Sequence, residues 1–148
     1  VLFLMGRSED AVASIEELLD SIDPEPTMDW AWWIVPTAIV LSEVGRGREV
    51  LALGGEHLPS RWIQAARLWA SGELSGAADR FKEIGSVADE AYARMREAER
   101  LIATGRRADA EPFLARALAL SRGMGATALI RDLERLLGPS AWGRSQGA

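Results

Sequence analysis

An echo at a spacing of 33 residues constrains this chain more than any other feature. Ala65, Leu68 and Gly72 form the pattern Ala-x-x-Leu-x-x-x-Gly, which recurs at Ala98, Leu101 and Gly105. In each copy an Ala follows the Gly (Ala77, Ala110), then a large apolar residue (Phe81, Leu114), then Ile84 or Ala117. Apolar residues three and four apart share one face of a helix, and a Gly between two such stretches supplies the backbone on which one helix ends and the next begins. A unit of this kind, repeated with a period between about 20 and 50 residues, means stacked helical hairpins, because a single hairpin leaves its apolar face uncovered.

With that Gly as a ruler, Gly6 and Gly45 precede Gly72 and Gly105 at intervals of 39, 27 and 33 residues. Ala11, Ile15 and Leu18 then fall in the slots of Ala77, Phe81 and Ile84, so residues 8–21 are predicted to be a second helix of a pair. Ser8 is placed as its N-cap, with Glu9 and Asp10 where carboxylates meet the positive end of the helix dipole. Residues 1–5 read as the stump of its partner, which makes the sequence read as a fragment of a longer stack. Pro24 and Pro26 mark a loop. The apolar run that follows, from Trp30 to Leu41, is shorter than the roughly 20 residues of a membrane span and reads as a buried helix. Pro36 either kinks that helix or lies in its first turn. Gly45, Arg46 and Gly47 turn the chain into a short helix over 49–53.

Further along, Ser60 is placed as the N-cap of a helix over 61–71 whose partner is 74–84, and Ser86 with Asp89 as a capping box for a helix ending at 103. The inner face of the latter is Ala88, Ala91, Tyr92, Met95, Ala98, Leu101 and Ile102. Asp109 as N-cap would put Pro112 in the first turn of the next helix, which ends near Arg122. Residues 126–137 carry Leu129, Ile130, Leu133, Leu136 and Leu137 on one face and Arg131, Asp132, Glu134 and Arg135 on the other, as the terminal helix of a stack requires. Residues 138–148, with Trp142, read as a disordered tail. The expected fold is all-α: a right-handed α-solenoid of about three and a half hairpins over 1–137, with a C-terminal capping helix.

Charge and composition narrow the function classes. The net charge of −5 favours neither nucleic acid nor an anionic membrane. Residues 1–58 carry 11 acidic and 3 basic side chains, and residues 59–148 carry 11 and 14, a polarity that suits head-to-tail stacking or docking of a charged domain as well as a plainly solvated surface. With no cysteine and a single histidine, His57, neither a disulfide framework nor a thiolate or histidine-rich metal site is available. The start lacks a charged segment ahead of its short apolar run and does not read as a signal peptide, so the cytoplasm is the default location.

No catalytic constellation emerges. There is no phosphate-binding loop, no His-Glu-x-x-His and no Ser/His/Asp set. His57, near Pro59, reads as an exposed or capping histidine, and the adjacent pairs Glu16–Glu17 and Asp89–Glu90 as solvated or dipole-complementing residues on different helix faces. Arg94, Arg96, Arg100, Arg106 and Arg107 are interleaved with Glu97, Glu99 and Asp109, a spacing that points to ion pairs on the helix surface before phosphate contact. The aromatic residues are the remaining hint of a partner. Trp30 and Trp33 lie three apart while Trp32 faces elsewhere, so one neighbouring helix leaves part of that set at a groove or interface. If the first helices of successive hairpins line the concave side, Trp62, Trp69, Tyr92, Met95 and Glu99 are groove candidates, with core packing the competing role for Trp69 and Met95.

The pattern of small, apolar and Gly positions in one helix and Ala, large apolar and small positions in the next resembles the tetratricopeptide repeat. Residues 61–84 and 94–117 carry it, with Arg61 and Arg94 where that family has a Trp or Leu. The stretch from Arg96 through Gly125 to Leu137 is also similar to the C-terminal end of large bacterial signal-transduction regulators. Those proteins join an output module to an ATPase and a helical-repeat sensor. The resemblance implies a non-enzymatic segment that binds protein: other domains of its parent chain, a regulatory partner or a second copy. It implies no cofactor, no metal, no membrane and no direct nucleic-acid contact. A small-molecule effector module built on an aromatic groove is the alternative.

Overall fold

The computed structural model describes residues 8–21, 33–52 and 60–138. Among them every regular element is helical: α1 (Ser8–Ser21), α2 (Ile34–Glu43), α3 (Gly47–Ala52), α4 (Arg61–Ala70), α5 (Leu74–Ile84), α6 (Val87–Ala103), α7 (Arg107–Met124) and α8 (Thr127–Leu137). The chain divides into two compact units, Val1–Arg80 and Phe81–Ala148, with the boundary inside α5. The expectations for residues 1–5, the loop at Pro24 and Pro26, and the tail with Trp142 lie outside the described residues.

Five helices end on the same turn. Gly45, Gly72, Gly85, Gly105 and Gly125 have φ of +78°, +82°, +85°, +76° and +67°. At Gly72 the glycine N–H donates to the Trp69 carbonyl and the Glu73 N–H to the Leu68 carbonyl, both at 2.9 Å. At Gly105 the Ile102 and Leu101 carbonyls accept in the same way, at 3.0 and 2.8 Å. Two carbonyls that a helix end would leave without partners are thus satisfied, and the left-handed residue that allows it would cost any side chain about 1 to 2 kcal/mol. The echo seen in the sequence is therefore an echo of turns and of packed positions. Ala65 and Ala98, Ala77 and Ala110, and Phe81 and Leu114 are all buried. Helix length is not repeated: α4 and α5 have 10 and 11 residues, α6 and α7 have 17 and 18.

Helix starts depart more from expectation. Ser60 and Ser86 occupy N-cap positions, yet neither side chain bonds the helix backbone. The Ser86 hydroxyl donates instead to Asp89 Oδ2 at 2.5 Å. Of the two alternatives for Pro36, the structure has the second: it is the third residue of α2, where a missing donor has no intrahelical partner to lose. Asp109 is not an N-cap. α7 begins at Arg107, which makes Pro112 its sixth residue and deprives the Ala108 carbonyl of its helical donor. Three local bonds favour the early start: Arg106 Nε donates to Asp109 Oδ2 at 2.7 Å, and the Arg106 carbonyl accepts from the N–H groups of Asp109 and Ala110. Ala108 and Pro112 both face solvent.

In the first unit α2 packs on α1, α3 and α4, and α3 on α4, around Ile34, Val35, Ala38, Leu41, Val50 and Ile63. α3 comes so close to the end of α4 that a Cβ on Gly47 would lie 3.0 Å from the Ala70 carbonyl oxygen and 3.0 Å from Ser42 Oγ. At Gly76 a Cβ would meet only Leu68, at an ordinary 3.5 Å. Gly47→Ala is therefore expected to lower the unfolding free energy by about 1 to 3 kcal/mol, and Gly76→Ala to raise it by about 0.5 to 1 kcal/mol through helix propensity. Urea unfolding of the two variants beside the wild type checks both signs.

In the second unit α6 and α7 form an antiparallel hairpin on which α8 packs. Met95, Ala98, Leu101, Ala110, Leu114, Ala117 and Leu133 make its core. The buried arc of α6 is broader than its apolar stripe and displaced from it. Ala88 is exposed, whereas Glu90, Ala93 and Glu97 are buried. Ala98 has no room to grow, so Ala98→Leu is expected to cost about 1 to 3 kcal/mol by overpacking, against less than about 0.5 kcal/mol for the half-exposed Arg96→Leu. Equal losses in thermal unfolding would contradict this packing.

Candidate functional site

The aromatic candidates separate once their surroundings are known. Trp30 and Trp32 lie outside the described residues. Trp33 is the half-buried N-cap of α2, its carbonyl accepting the Thr37 N–H at 3.2 Å. On α4, Trp62 is half-buried and Trp69 is 3% exposed. They sit seven residues apart on nearly one face, but α3 closes over the last turn at Ala70, while Trp62 belongs to the first. On α6, Met95 is 4% exposed in the core, Tyr92 packs against the edge of that core, and half-exposed Glu99 is bonded to Arg96 Nη1. Trp69 and Met95 are thus core side chains. Trp33 and Trp62 remain at the surface of the first unit, and Tyr92 and Glu99 at that of the second.

All five arginines of the basic stretch are engaged within the chain. Arg94 Nε donates to Glu90 at 2.9 Å, Arg100 holds Glu97 through two bonds of 2.9 and 2.6 Å, and Arg96 and Arg106 hold Glu99 and Asp109. Hydrogen bonding to Glu97 raises the pKa of Arg100 above its ordinary value. Arg107 does something the sequence reading had not assigned. Its Nη2 donates to the carbonyl oxygens of Leu136 and Leu137, at 2.9 and 2.7 Å, and so caps the C-terminus of α8. Guanidinium groups engaged in this way form structure within the unit.

Glu90, expected to be solvated or dipole-complementing, lies in the first turn of α6 but is not solvated: it is 3% exposed, and its Oε1 accepts from Arg94 Nε on its own helix and from Arg116 Nε on α7, at 2.9 and 3.1 Å. Burial alone would push its carboxyl up; the bonds from Arg116 and Arg94 outweigh that and hold its pKa below the usual carboxylate range. The available signal was the spacing of Glu90 to Arg94 and of Glu97 to Arg100, which places opposite charges on neighbouring helix positions. Nothing in that spacing tells which pair is covered.

Among the described residues of the first unit, Arg46 makes a comparable junction. Arg46, in the turn after α2, donates to Glu16 of α1 at 2.5 Å and to Glu49 of α3 at 2.6 and 2.8 Å, which depresses the Glu49 pKa. Beside it lies an open depression of about 340 Å³ lined by Glu9, Val12, Ala13, Glu16, Val44 and Arg46. Its lining is mostly apolar, and of its charged groups Arg46 and Glu16 are paired with each other. Among the described residues no three of His, Cys, Asp and Glu converge to hold a metal ion, and no helix is long and apolar enough to cross a membrane. Comparison with protein-family models, with curated proteins and with solved structures returns no match for this chain.

Proposed function

We propose that this chain is a non-enzymatic protein–protein interaction scaffold, a right-handed stack of tetratricopeptide-like hairpins that serves as the C-terminal sensor or regulatory segment of a larger bacterial signalling or transcriptional regulator in the cytoplasm. The observation that carries this reading is the 33-residue echo, in which the pairs Ala65 and Ala98, Ala77 and Ala110, and Phe81 and Leu114 are buried in both copies and Gly72 and Gly105 share one backbone conformation. Hairpins joined by identical turns build extended surfaces whose outer residues are free to vary for recognition. Trp33, Trp62 and Tyr92 supply half-buried aromatic area there, the kind of side chain that dominates protein interfaces. A protein partner is favoured over nucleic acid by the net charge of −5 and by the arginines already engaged.

A photo-crosslinking amino acid at position 62 or 92, introduced into the chain in its own cells, tests the reading. The expected result is a covalent product of one discrete larger mass from each position, that from position 62 lost when Trp33, at the surface of the same unit, is replaced by alanine in a variant with unchanged circular dichroism. Absence of any protein product, together with a melting point raised by a small-molecule effector, would replace the scaffold with the effector module.

A further inference from the structure

We propose that the trough between α6 and α7 is an acceptor site for a helix, filled within one chain by its own α8 and exchangeable for the α8 of a second copy, giving a swapped dimer. α8 is seated chiefly by its leucines: Leu133 is buried in the core of the hairpin, and Leu129, Leu136 and Leu137 pack against it. Its end is held by Arg107, which binds the main-chain oxygens of Leu136 and Leu137 and thereby recognises a helix C-terminus whichever copy supplies it. Near its middle, Glu134 lies 3.6 Å from Arg122. The site thus specifies an amphipathic helix with a defined direction, and α8 satisfies it.

The connection between α7 and α8 supplies the second, independent observation. Gly125 closes α7 with a positive φ, which confines the fold-back to one left-handed residue. Gly123, inside the last turn of α7, has ordinary helical backbone, and a Cβ there would meet nothing within 4 Å. It is required neither for space nor for conformation, yet glycine inside a helix is unfavourable. What it contributes is backbone freedom beside the turn, as a hinge needs. Opening that hinge straightens α7 and α8 toward one continuous helix and leaves each trough to be filled by the neighbour's α8, so every contact of the closed chain is remade between two chains.

The test uses the full chain, which has no cysteine of its own. Arg122→Cys with Glu134→Cys places a thiol on each side of the α7–α8 contact, and a short bis-maleimide joins them. In closed monomers the bridge forms within one chain. In the swapped dimer it forms between chains and survives as a covalent dimer on a denaturing gel. Incubation at high concentration just below the melting point, followed by cooling and light scattering, should yield a dimer fraction for the wild type. Gly125→Ala penalises only the closed turn and should raise that fraction per chain by about five- to thirtyfold. Gly123→Ala, which stiffens the hinge without straining the turn, is a second variant that folds in either state and should slow the exchange. Monomers alone in both wild type and Gly125→Ala, or a dimer whose bridges all lie within single chains, would overturn the proposal. The outcome is independent of whether the chain is a scaffold for other proteins.

Discussion

Leu114→Ala is expected to lower the unfolding free energy by about 2 to 5 kcal/mol, a large part of the roughly 5 to 15 kcal/mol that a domain of this kind has. Leu114 is fully buried among Met95, Ala98, Leu101, Ala110, Ala117 and Leu133. Truncation removes its transfer free energy and leaves a cavity. Three of those neighbours are alanines in helix–helix crossings, with no side chain able to swing into the space, so the cost should fall toward the upper end of the range. Leu133→Ala acts on the same core from α8 and should cost a comparable amount. Leu129→Ala, on the edge of the core, should cost about 1 kcal/mol. Urea unfolding followed by circular dichroism measures the order. A negligible shift for Leu133→Ala would mean that α8 does not cover this core.

Glu90→Ala is expected to cost about 2 to 3 kcal/mol near neutral pH, because it removes the buried carboxylate that Arg94 and Arg116 share. Arg116→Ala should cost less than about 1 kcal/mol: that side chain is 47% exposed, and Glu90 keeps Arg94 when it is gone. The effect depends on pH with a defined sign. A carboxyl whose pKa is depressed by folding adds stability that is present in full above its unfolded value of about 4.3 and is lost as the pH falls through the lower folded value. Glu90→Gln should therefore lose stability at neutral pH and flatten the acid limb of the stability curve below about pH 4.3. An acid limb identical to that of the wild type would show that Glu90 titrates as an ordinary surface carboxylate.

The points at which the sequence could be read, and those at which it could not, follow from the range of each physical effect. A glycine helix end depends on six residues and their mutual hydrogen bonds, so the turns at Gly45, Gly72, Gly105 and Gly125 could be placed from the chain alone. The same holds for the apolar face of α8 and for the pairing of Arg96, Arg100 and Arg106 with acids three residues away. Helix starts were harder. Their signals are side-chain options that compete: Ser86 bonds Asp89 instead of the backbone, and Asp109 joins Arg106 inside the helix it was expected to begin. Of the aromatic candidates, the sequence could say that Trp and Tyr need cover but not which of them receive it.

What the sequence by itself determined is an all-helical chain, its chief breaks, and the small positions where helices approach: Ala65, Ala77, Ala98 and Ala110. What only the tertiary structure decided is which polar groups are enclosed and what lies opposite them. Glu90 is buried because Arg116, 26 residues away on α7, reaches it, and α8 is clamped because Arg107, 29 residues before Leu136, finds its carbonyls. Periodicity reports which side of a helix is apolar within one or two turns; burial of a charge depends on the faces of other helices that cover it. That is a property of contacts far apart in the chain, where a local pattern carries no information.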